Sequence, residues 1–222
     1  MPAKSPAPSV LHPCCDDLGR PVRILKPSTP SAPALWSDPS ASLCFTPGGA
    51  VPPTINGVAL APWAEAPTRA EGWATVEGFA DLPDDPPVAQ VPGKGVSAGC
   101  VVLEPDGRVW LVCPTNGFAG RPATFPKGRV EDGLSLQATA IKEVHEESGL
   151  RVAIVGCLGD QVRTTTVARY YLAHRVGGTP AAMGWESQAV RLVPIAAARE
   201  MLTPLDRQLV SRFDGLTQIG DG

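Results

Sequence analysis

The sequence predicts a domain of the α+β or three-layer type, preceded by a proline-rich segment. Proline is distributed unevenly, since 18 of the 25 prolines fall within residues 1–95 and only seven within the remaining 127. From residue 96 onward, apolar β-branched runs and helical segments are mixed without regular alternation, which disfavours a Rossmann fold. We therefore expect a proline-rich arm or small irregular domain at 1–95 and a mixed domain at 96–222.

Long helices are excluded from the first 95 residues, because proline recurs every few positions together with turn signals such as Asn56-Gly57. The same segment carries the large aromatic residues Trp36, Phe45, Trp63, Trp73 and Phe79. A solvated tail does not carry so much apolar surface. This composition favours an arm that packs on the rest of the chain over a flexible proline-rich tail.

The mixed domain begins with a predicted β-hairpin. Two apolar runs, Val96–Glu104 and Arg108–Cys113, flank the turn Pro105-Asp106-Gly107. A polar, glycine-rich stretch follows from residue 114 to 133. Later strand candidates, of which the second is long enough to be a hairpin arm or a bent strand, are Arg151–Leu158, Val162–Val176 and Ala189–Val193.

Three helices are predicted in the same domain. The first covers Leu136–Glu147, with Ser135 as its N-cap and Gly149 just after its end. The other two close the chain, over Pro194–Leu202 and from Pro204 to about Phe213, the last one capped by Thr203.

Composition excludes several classes of protein. A net charge of −3 is unsuited to binding a nucleic acid polymer, which requires a basic excess. The chain lacks a run of about 18 apolar residues, the length that a membrane span needs, and its N-terminus lacks a signal-peptide pattern. The six cysteines show no paired metal spacing, so we interpret them as reduced thiols. These features predict a cytoplasmic protein without a membrane partner, and they leave a homodimer open.

The first predicted helix carries the chemistry. Glu143, Glu146 and Glu147 share one side of it, next to an apolar arc, at about 100° per residue. Like charges at these spacings destabilise a helix by roughly 0.2–0.5 kcal/mol per pair, and the helix C-terminus disfavours anions. The pattern indicates a bound cation, and oxygen ligands favour Mg²⁺ or Mn²⁺. The alternative is a solvated acidic face with a Lys142–Glu146 pair.

Residues 128–150 resemble the box of the Nudix hydrolases, G-x5-E-x7-R-E-U-x-E-E-x-G-U, in which U is a bulky aliphatic residue. Seven of the nine specified positions match: Gly128, Glu143, Val144, Glu146, Glu147, Gly149 and Leu150. The preceding Thr124–Lys127 looks like the entry to the box in many family members. The resemblance covers about residues 96–215 and implies a Nudix-type α/β/α sandwich with a mixed sheet.

Two positions depart from the box. Leu134 stands where the family has its first glutamate, and Lys142 stands where it has arginine. In the family that arginine pairs with and orients a box glutamate. Lysine keeps the charge but lacks the planar, bidentate fork, so we expect looser orientation in this chain.

The resemblance implies hydrolysis of a diphosphate linkage by water attack at phosphorus, with divalent ions polarising the phosphate oxygens. The expected substrate is a small nucleoside diphosphate derivative of the dinucleoside polyphosphate, ADP-ribose or nucleotide-sugar type. The metal ligands implied are Glu143, Glu146, Glu147 and the backbone carbonyl of Lys127. The general base is Glu186 or Glu147, and Lys142 takes the arginine's orienting role. The alternative is a non-catalytic Nudix-like sensor that binds a nucleotide metabolite.

Basic residues around the box are candidates for binding a polyanionic substrate. They are Arg121, Lys127, Arg129, Arg163 and Arg169. Tyr170 and Tyr171 are adjacent on a predicted strand, so their side chains point to opposite faces. We expect one in the core and Tyr171 in a substrate pocket.

Overall fold

The computed structural model describes residues 10–83, 85–115 and 123–217. Predicted Arg121 lies outside these residues. Within them the strands are β1 (Val10–Cys15), β2 (Pro21–Ile24), β3 (Leu43–Phe45), β4 (Thr54–Ile55), β5 (Val58–Ala59), β6 (Gly95–Leu103), β7 (Arg108–Pro114), β8 (Lys127–Arg129), β9 (Leu150–Val162), β10 (Thr166–Gly178) and β11 (Ser187–Pro194). The helices of the described residues are α1 (Ala70–Ala74), α2 (Leu136–Ser148), α3 (Ile195–Met201) and α4 (Pro204–Thr217).

A mixed sheet forms the centre of the fold, as predicted. Its strand order is β3-β11-β7-β6-β10-β9, and β8 pairs with β6. The β6–β10 pair is parallel, whereas β6–β7, β7–β11 and β9–β10 are antiparallel. The predicted hairpin of β6 and β7 is confirmed, with Val102 opposite Trp110 and Leu103 opposite Val109.

Alternation along the strands supplies two buried faces. In β6, Cys100 and Val102 belong to the cluster that α2 covers, while Val101 and Leu103 belong to the cluster on the opposite face. Leu209, Val210 and Phe213 of α4 join the second cluster. Because both faces of the sheet carry helices, the architecture is a three-layer α/β/α sandwich and confirms the predicted fold class.

The break between the predicted strands Arg151–Leu158 and Val162–Val176 lies a few residues later in the structure. Strand β9 continues to Val162, the chain turns, and β10 starts at Thr166. The turn consists of Arg163, Thr164 and Thr165, which carry no glycine or proline to indicate it. Gly159, with φ of 85°, lies where the β9–β10 register shifts, and it allows the bulge there.

Strand β8 was not predicted, because it lies in the polar stretch after residue 114. It pairs with β6 through Lys127 opposite Gly99. A Cβ at Gly99 would lie 2.2 Å from the carbonyl oxygen of Pro126, so only glycine permits this close approach.

The proline-rich segment contacts the mixed domain at several points. Strand β3 is an edge strand of the central sheet and pairs with β11, and Ile55 and Trp73 are buried in the α2-side cluster. Asp85 bonds to Arg169 and accepts a hydrogen bond of 2.8 Å from the Tyr171 hydroxyl. The division of the chain at residue 95 stays a prediction. Among the described helices, none is both long and apolar enough to cross a membrane.

Candidate active site

Helix α2 positions the acidic residues. Its N-terminus is capped as predicted, because the Ser135 hydroxyl accepts a hydrogen bond of 3.1 Å from the Ala138 amide. It ends at Gly149, whose φ of 71° is left-handed. Ile141 and Val144 are buried against the sheet. The helical repeat therefore leaves the three glutamates at the open side of α2.

Those glutamates line a cleft of about 560 Å³ between the last turns of α2 and the segment before β11. The cleft is strongly acidic, since its lining contains six carboxylates and one lysine. Its lining residues are Asp17, Glu131, Lys142, Glu143, His145, Glu146, Glu147, Ala182, Gly184, Trp185 and Glu186.

Strand β8 crosses next to these carboxylates. The backbone amide of Lys127 donates a hydrogen bond of 3.2 Å to Oε2 of Glu147. Gly128 lies directly against the carboxylate of Glu143. The structure thus brings Lys127 to the predicted metal-binding glutamates, and the role of its carbonyl as a ligand stays a prediction.

Lys142 bridges two carboxylates. Its Nζ donates hydrogen bonds of 2.8 Å to Glu131 and 2.6 Å to Glu146. Burial alone lowers the pKa of Lys142, but these two hydrogen bonds outweigh it and raise the pKa above its ordinary value. Lys142 is therefore cationic at neutral pH, and it holds Glu146 as the family's arginine is expected to hold a box glutamate.

Glu186 lies on the other side of the cleft, in a loop that hydrogen bonds hold firmly. The Gly184 amide donates to the carbonyl of Glu146 at 2.7 Å, and the Thr115 amide donates to the carbonyl of Glu186 at 2.7 Å. The Thr115 hydroxyl donates to the carbonyl of Trp185 at 2.7 Å. These bonds join the loop to both α2 and β7.

Three of the cleft carboxylates have raised pKa values. Burial, together with the charge of Glu146, raises the pKa of Glu143 to about 7. Burial raises the pKa of Glu147 well above its usual range. The positive charge of Lys127 opposes this rise, whereas the negative charges of Glu143 and Glu186 add to it. Burial, followed by the charges of Asp17 and Glu146, raises the pKa of Glu186. The cleft therefore concentrates negative charge, which the positively charged lysine side chain in its lining compensates only in part.

Two arginines predicted to bind substrate, Arg163 and Arg169, do not line the cleft. Arg163 bonds to Asp206 and donates a hydrogen bond of 2.8 Å to the Tyr170 hydroxyl. Arg169 is buried and bonds to Asp85 and Asp160. These contacts use both guanidinium groups inside the fold, and neither arginine is among the residues that line the cleft.

Tyr171 is also buried, with its hydroxyl held by Asp85. Its expected place in a substrate pocket is corrected, because the proline-rich segment covers it. Arg129 is exposed at the end of β8, and it is not among the residues that line the cleft.

Two cleft residues escaped sequence reasoning. Glu131 reaches Lys142 from the loop before α2, and the missing box glutamate at Leu134 was a signal to look for a nearby carboxylate. Asp17 comes from the turn between β1 and β2, and its side chain accepts a hydrogen bond of 3.1 Å from Nε1 of Trp185. No local pattern links residue 17 to a helix so far along the chain.

The donor chemistry suits a hard divalent cation, because six carboxylates line one cleft and oxygen atoms are the ligands that such cations prefer. The geometry is open, however. In residues 10–83, 85–115 and 123–217, no three Asp, Glu, His or Cys side chains come close enough together to form a ready metal site.

The protein is thus an α/β/α sandwich with an acidic cleft beside helix α2. The NUDIX domain family model matches residues 93–213, which is more than half of the chain. The chain belongs to the NUDIX domain family, which generally uses divalent metal cations. The resemblance drawn from the box is thereby confirmed.

Curated relatives and solved structures resemble parts of this chain. The chain is 37% identical over 98 residues to an RNA pyrophosphohydrolase of Caulobacter vibrioides, covering 41% of this chain and 51% of that protein. It thus spans about half the length of this curated relative. Solved structures include an Ap4A hydrolase of C. elegans, 18% identical, covering 55% of this chain and 98% of that one at a TM-score of 0.46. The structure of a MutT protein of Methanosarcina mazei Go1 is 16% identical in sequence, and the match covers 58% of this chain and 99% of that one at a TM-score of 0.46.

Proposed function

We propose that this chain hydrolyses a diphosphate linkage in a small nucleoside diphosphate derivative, using Mg²⁺ or Mn²⁺. The observation that carries the proposal is the meeting of Glu143, Glu146 and Glu147 with Glu186 in one cleft. Family membership, and a relative named as a pyrophosphohydrolase, support the same reaction class.

The chain's own residues have distinct roles in this proposal. A divalent ion, when bound in this cleft, would polarise the phosphate oxygens and lower the pKa of the attacking water. Glu143, Glu146 and Glu147 would hold the ion, with the carbonyl of Lys127 as a further ligand. Glu147 or Glu186 takes the proton from the water, since burial raises the pKa of each carboxyl group and makes each carboxylate a stronger base.

Lys142 acts through Glu146. Its hydrogen bond of 2.6 Å holds that carboxylate, and its second partner, Glu131, fixes the ammonium. This pair replaces the arginine of the family's box. The proposal also includes substrate contacts from Arg121, Arg129 and Lys127. It further includes a cytoplasmic location and a homodimer.

The test is a substrate panel with Mg²⁺, comprising ADP-ribose, nucleotide sugars, diadenosine polyphosphates and deoxynucleoside triphosphates. We expect hydrolysis of at least one compound, and Glu147→Gln should abolish it. Glu200→Gln, on the exposed side of α3, is the charge-matched control and should retain activity. A panel without hydrolysis, combined with tight binding of one nucleotide, would instead support the non-catalytic sensor.

A comparison of Glu147→Gln with Glu186→Gln identifies the general base. The variant that lacks the base should lose turnover and the acidic limb of the pH profile, because the base must be deprotonated to act, while it still binds the metal ion. The variant that lacks a metal ligand should bind Mn²⁺ less tightly.

A further inference from the structure

The hairpin of β1 and β2 extends a carboxylate across the cleft. Asp17, in the turn of this hairpin, lines the same cavity as the glutamates of α2. Nε1 of Trp185 donates a hydrogen bond of 3.1 Å to Oδ1 of Asp17. One wall of the cleft is therefore a carboxylate fixed beside an indole ring.

The turn that presents Asp17 is well held. The carboxylate of Asp16 accepts hydrogen bonds from the amides of Leu18 at 3.0 Å and Arg20 at 2.9 Å. Arg20 forms an ion pair with the same carboxylate. Gly19 adopts a left-handed φ of 73°, which completes the turn. Asp16 is thus used within the turn, while Asp17 faces the cleft.

Trp185 is equally fixed, because its carbonyl accepts a hydrogen bond from Thr115 and the preceding Gly184 is bonded to α2. Further along the chain from the hairpin, the amide of Ser28 donates to Oε1 of Gln188 at 3.0 Å. This bond joins the segment after β2 to β11, the strand that follows Glu186.

The chemistry of this wall selects the part of the substrate that it can contact. A carboxylate accepts hydrogen bonds from hydroxyl or amino groups and repels phosphate. An indole ring offers a flat apolar surface to a sugar or a base. The diphosphate requires the opposite environment, in which cations compensate its charge.

We propose that Asp17 and Trp185 form the subsite for the uncharged, hydroxyl-bearing part of the substrate, with the diphosphate lying toward Glu143 and Glu147. This inference rests on the proposed function. It makes Asp17 a specificity-determining residue, because a substrate that places a phosphate at this wall is disfavoured by like charge.

The test compares binding of two probes by calorimetry with Ca²⁺ present: ADP-ribose, which carries hydroxyl groups, and inorganic tripolyphosphate, which carries none. Asp17→Asn should weaken the binding of ADP-ribose and spare or strengthen that of tripolyphosphate. We expect the ratio of the two dissociation constants to shift by about tenfold, the effect of one charged contact at the protein surface.

Trp185→Phe keeps an aromatic ring but removes the Nε1 donor, so it should shift the ratio in the same direction by a smaller factor. Glu200→Gln is the control and should leave the ratio unchanged.

The subsite would be overturned if Asp17→Asn left the ratio of the two dissociation constants unchanged. It would also be overturned if neither probe bound measurably to the unaltered chain or to the variant. Loss of Ca²⁺ binding in this variant would overturn it too, because Asp17 would then be a metal ligand. The substrate panel on the unaltered chain is read separately. Hydrolysis with an unchanged ratio refutes the subsite alone, whereas a shifted ratio without hydrolysis refutes the enzyme alone.

Discussion

The carboxylate of Glu143 occupies the space that a side chain at Gly128 would need. A Cβ built on Gly128 would lie 2.1 Å from the Glu143 carboxyl carbon, far inside van der Waals contact. The first box glycine is therefore required by a glutamate that lies a whole loop and two helical turns later. This relationship explains how β8 and α2 set the position of the candidate metal ligand.

Gly128→Ala should displace the Glu143 carboxylate and lower kcat/KM by about a hundredfold, since a misplacement of about 1 Å at a catalytic group costs this much. Far-ultraviolet circular dichroism should remain unchanged, because the clash involves the end of a side chain. Gly156→Ala is the control, as an added Cβ there meets only Leu172 at 3.9 Å. Equal activity of the two variants would contradict the relationship.

The Lys142 bridge predicts an effect on activity that exceeds its effect on stability. Its partners Glu131 and Glu146 are 52% and 46% exposed, so solvent screens both ion pairs. Lys142→Met should lower kcat by about tenfold or more, while the free energy of unfolding changes by less than about 1 kcal/mol. Lys142→Arg should retain activity. A large loss of stability with normal turnover would show that the bridge is merely structural.

Leu134→Glu restores the residue type of the family's box but should destabilise this chain. Leu134 is buried in the α2-side cluster, so a carboxylate there would lack water and partners. We expect a loss of about 1–3 kcal/mol in urea unfolding. Leu134→Met, which keeps an apolar side chain, should cost less than about 1.5 kcal/mol. Unchanged stability of Leu134→Glu would mean that the new side chain reaches the cleft.

The raised pKa of Glu143 predicts a pH dependence of stability in the metal-free protein. Its pKa is about 7 when folded, against an ordinary value of 4.5. Between these values the folded state binds more protons than the unfolded state, so stability falls as pH rises through this range. Glu143 should therefore make Tm lower at about pH 8 than at about pH 5 in thermal unfolding. Glu143→Gln should remove this contribution to the pH dependence of Tm.

Added Mg²⁺ should raise Tm more at the higher pH, because the ion binds the deprotonated carboxylates. A metal-induced rise of equal size at both pH values would contradict the assignment of these glutamates as ligands.

Asp85→Ala tests whether the proline-rich segment stabilises the mixed domain. Asp85 bonds to the buried guanidinium of Arg169 and accepts from the Tyr171 hydroxyl. Its removal leaves buried polar groups without a partner, so we expect a loss of about 1–3 kcal/mol and faster proteolysis near residue 85. Asp81→Ala, at an exposed position, should have little effect. Equal stability of the two variants would favour a loosely attached segment.

Local signals accounted for much of the fold. Ser135 and Gly149 delimit α2 as their capping chemistry requires, and the turn at 105–107 joins β6 and β7. The break between β9 and β10 lies later than the predicted one, because residues 163–165 carry no turn signal. Strand β8 was not predicted, because it forms through close approach to Gly99. The spacing of Glu143, Glu146 and Glu147 likewise predicted that they share one side of α2, where they line the cleft.

What the sequence determined by itself was the local chemistry: the helix, its caps, the spacing of Glu143, Glu146 and Glu147, and the family they indicate. Only the tertiary structure decided which distant residues join them. It brought Asp17 to the cleft and bound Arg163, Arg169 and Tyr171 to partners inside the fold. The physical reason is that helix and turn signals act over a few residues, whereas a charged side chain meets its partner through packing of segments far apart in the chain.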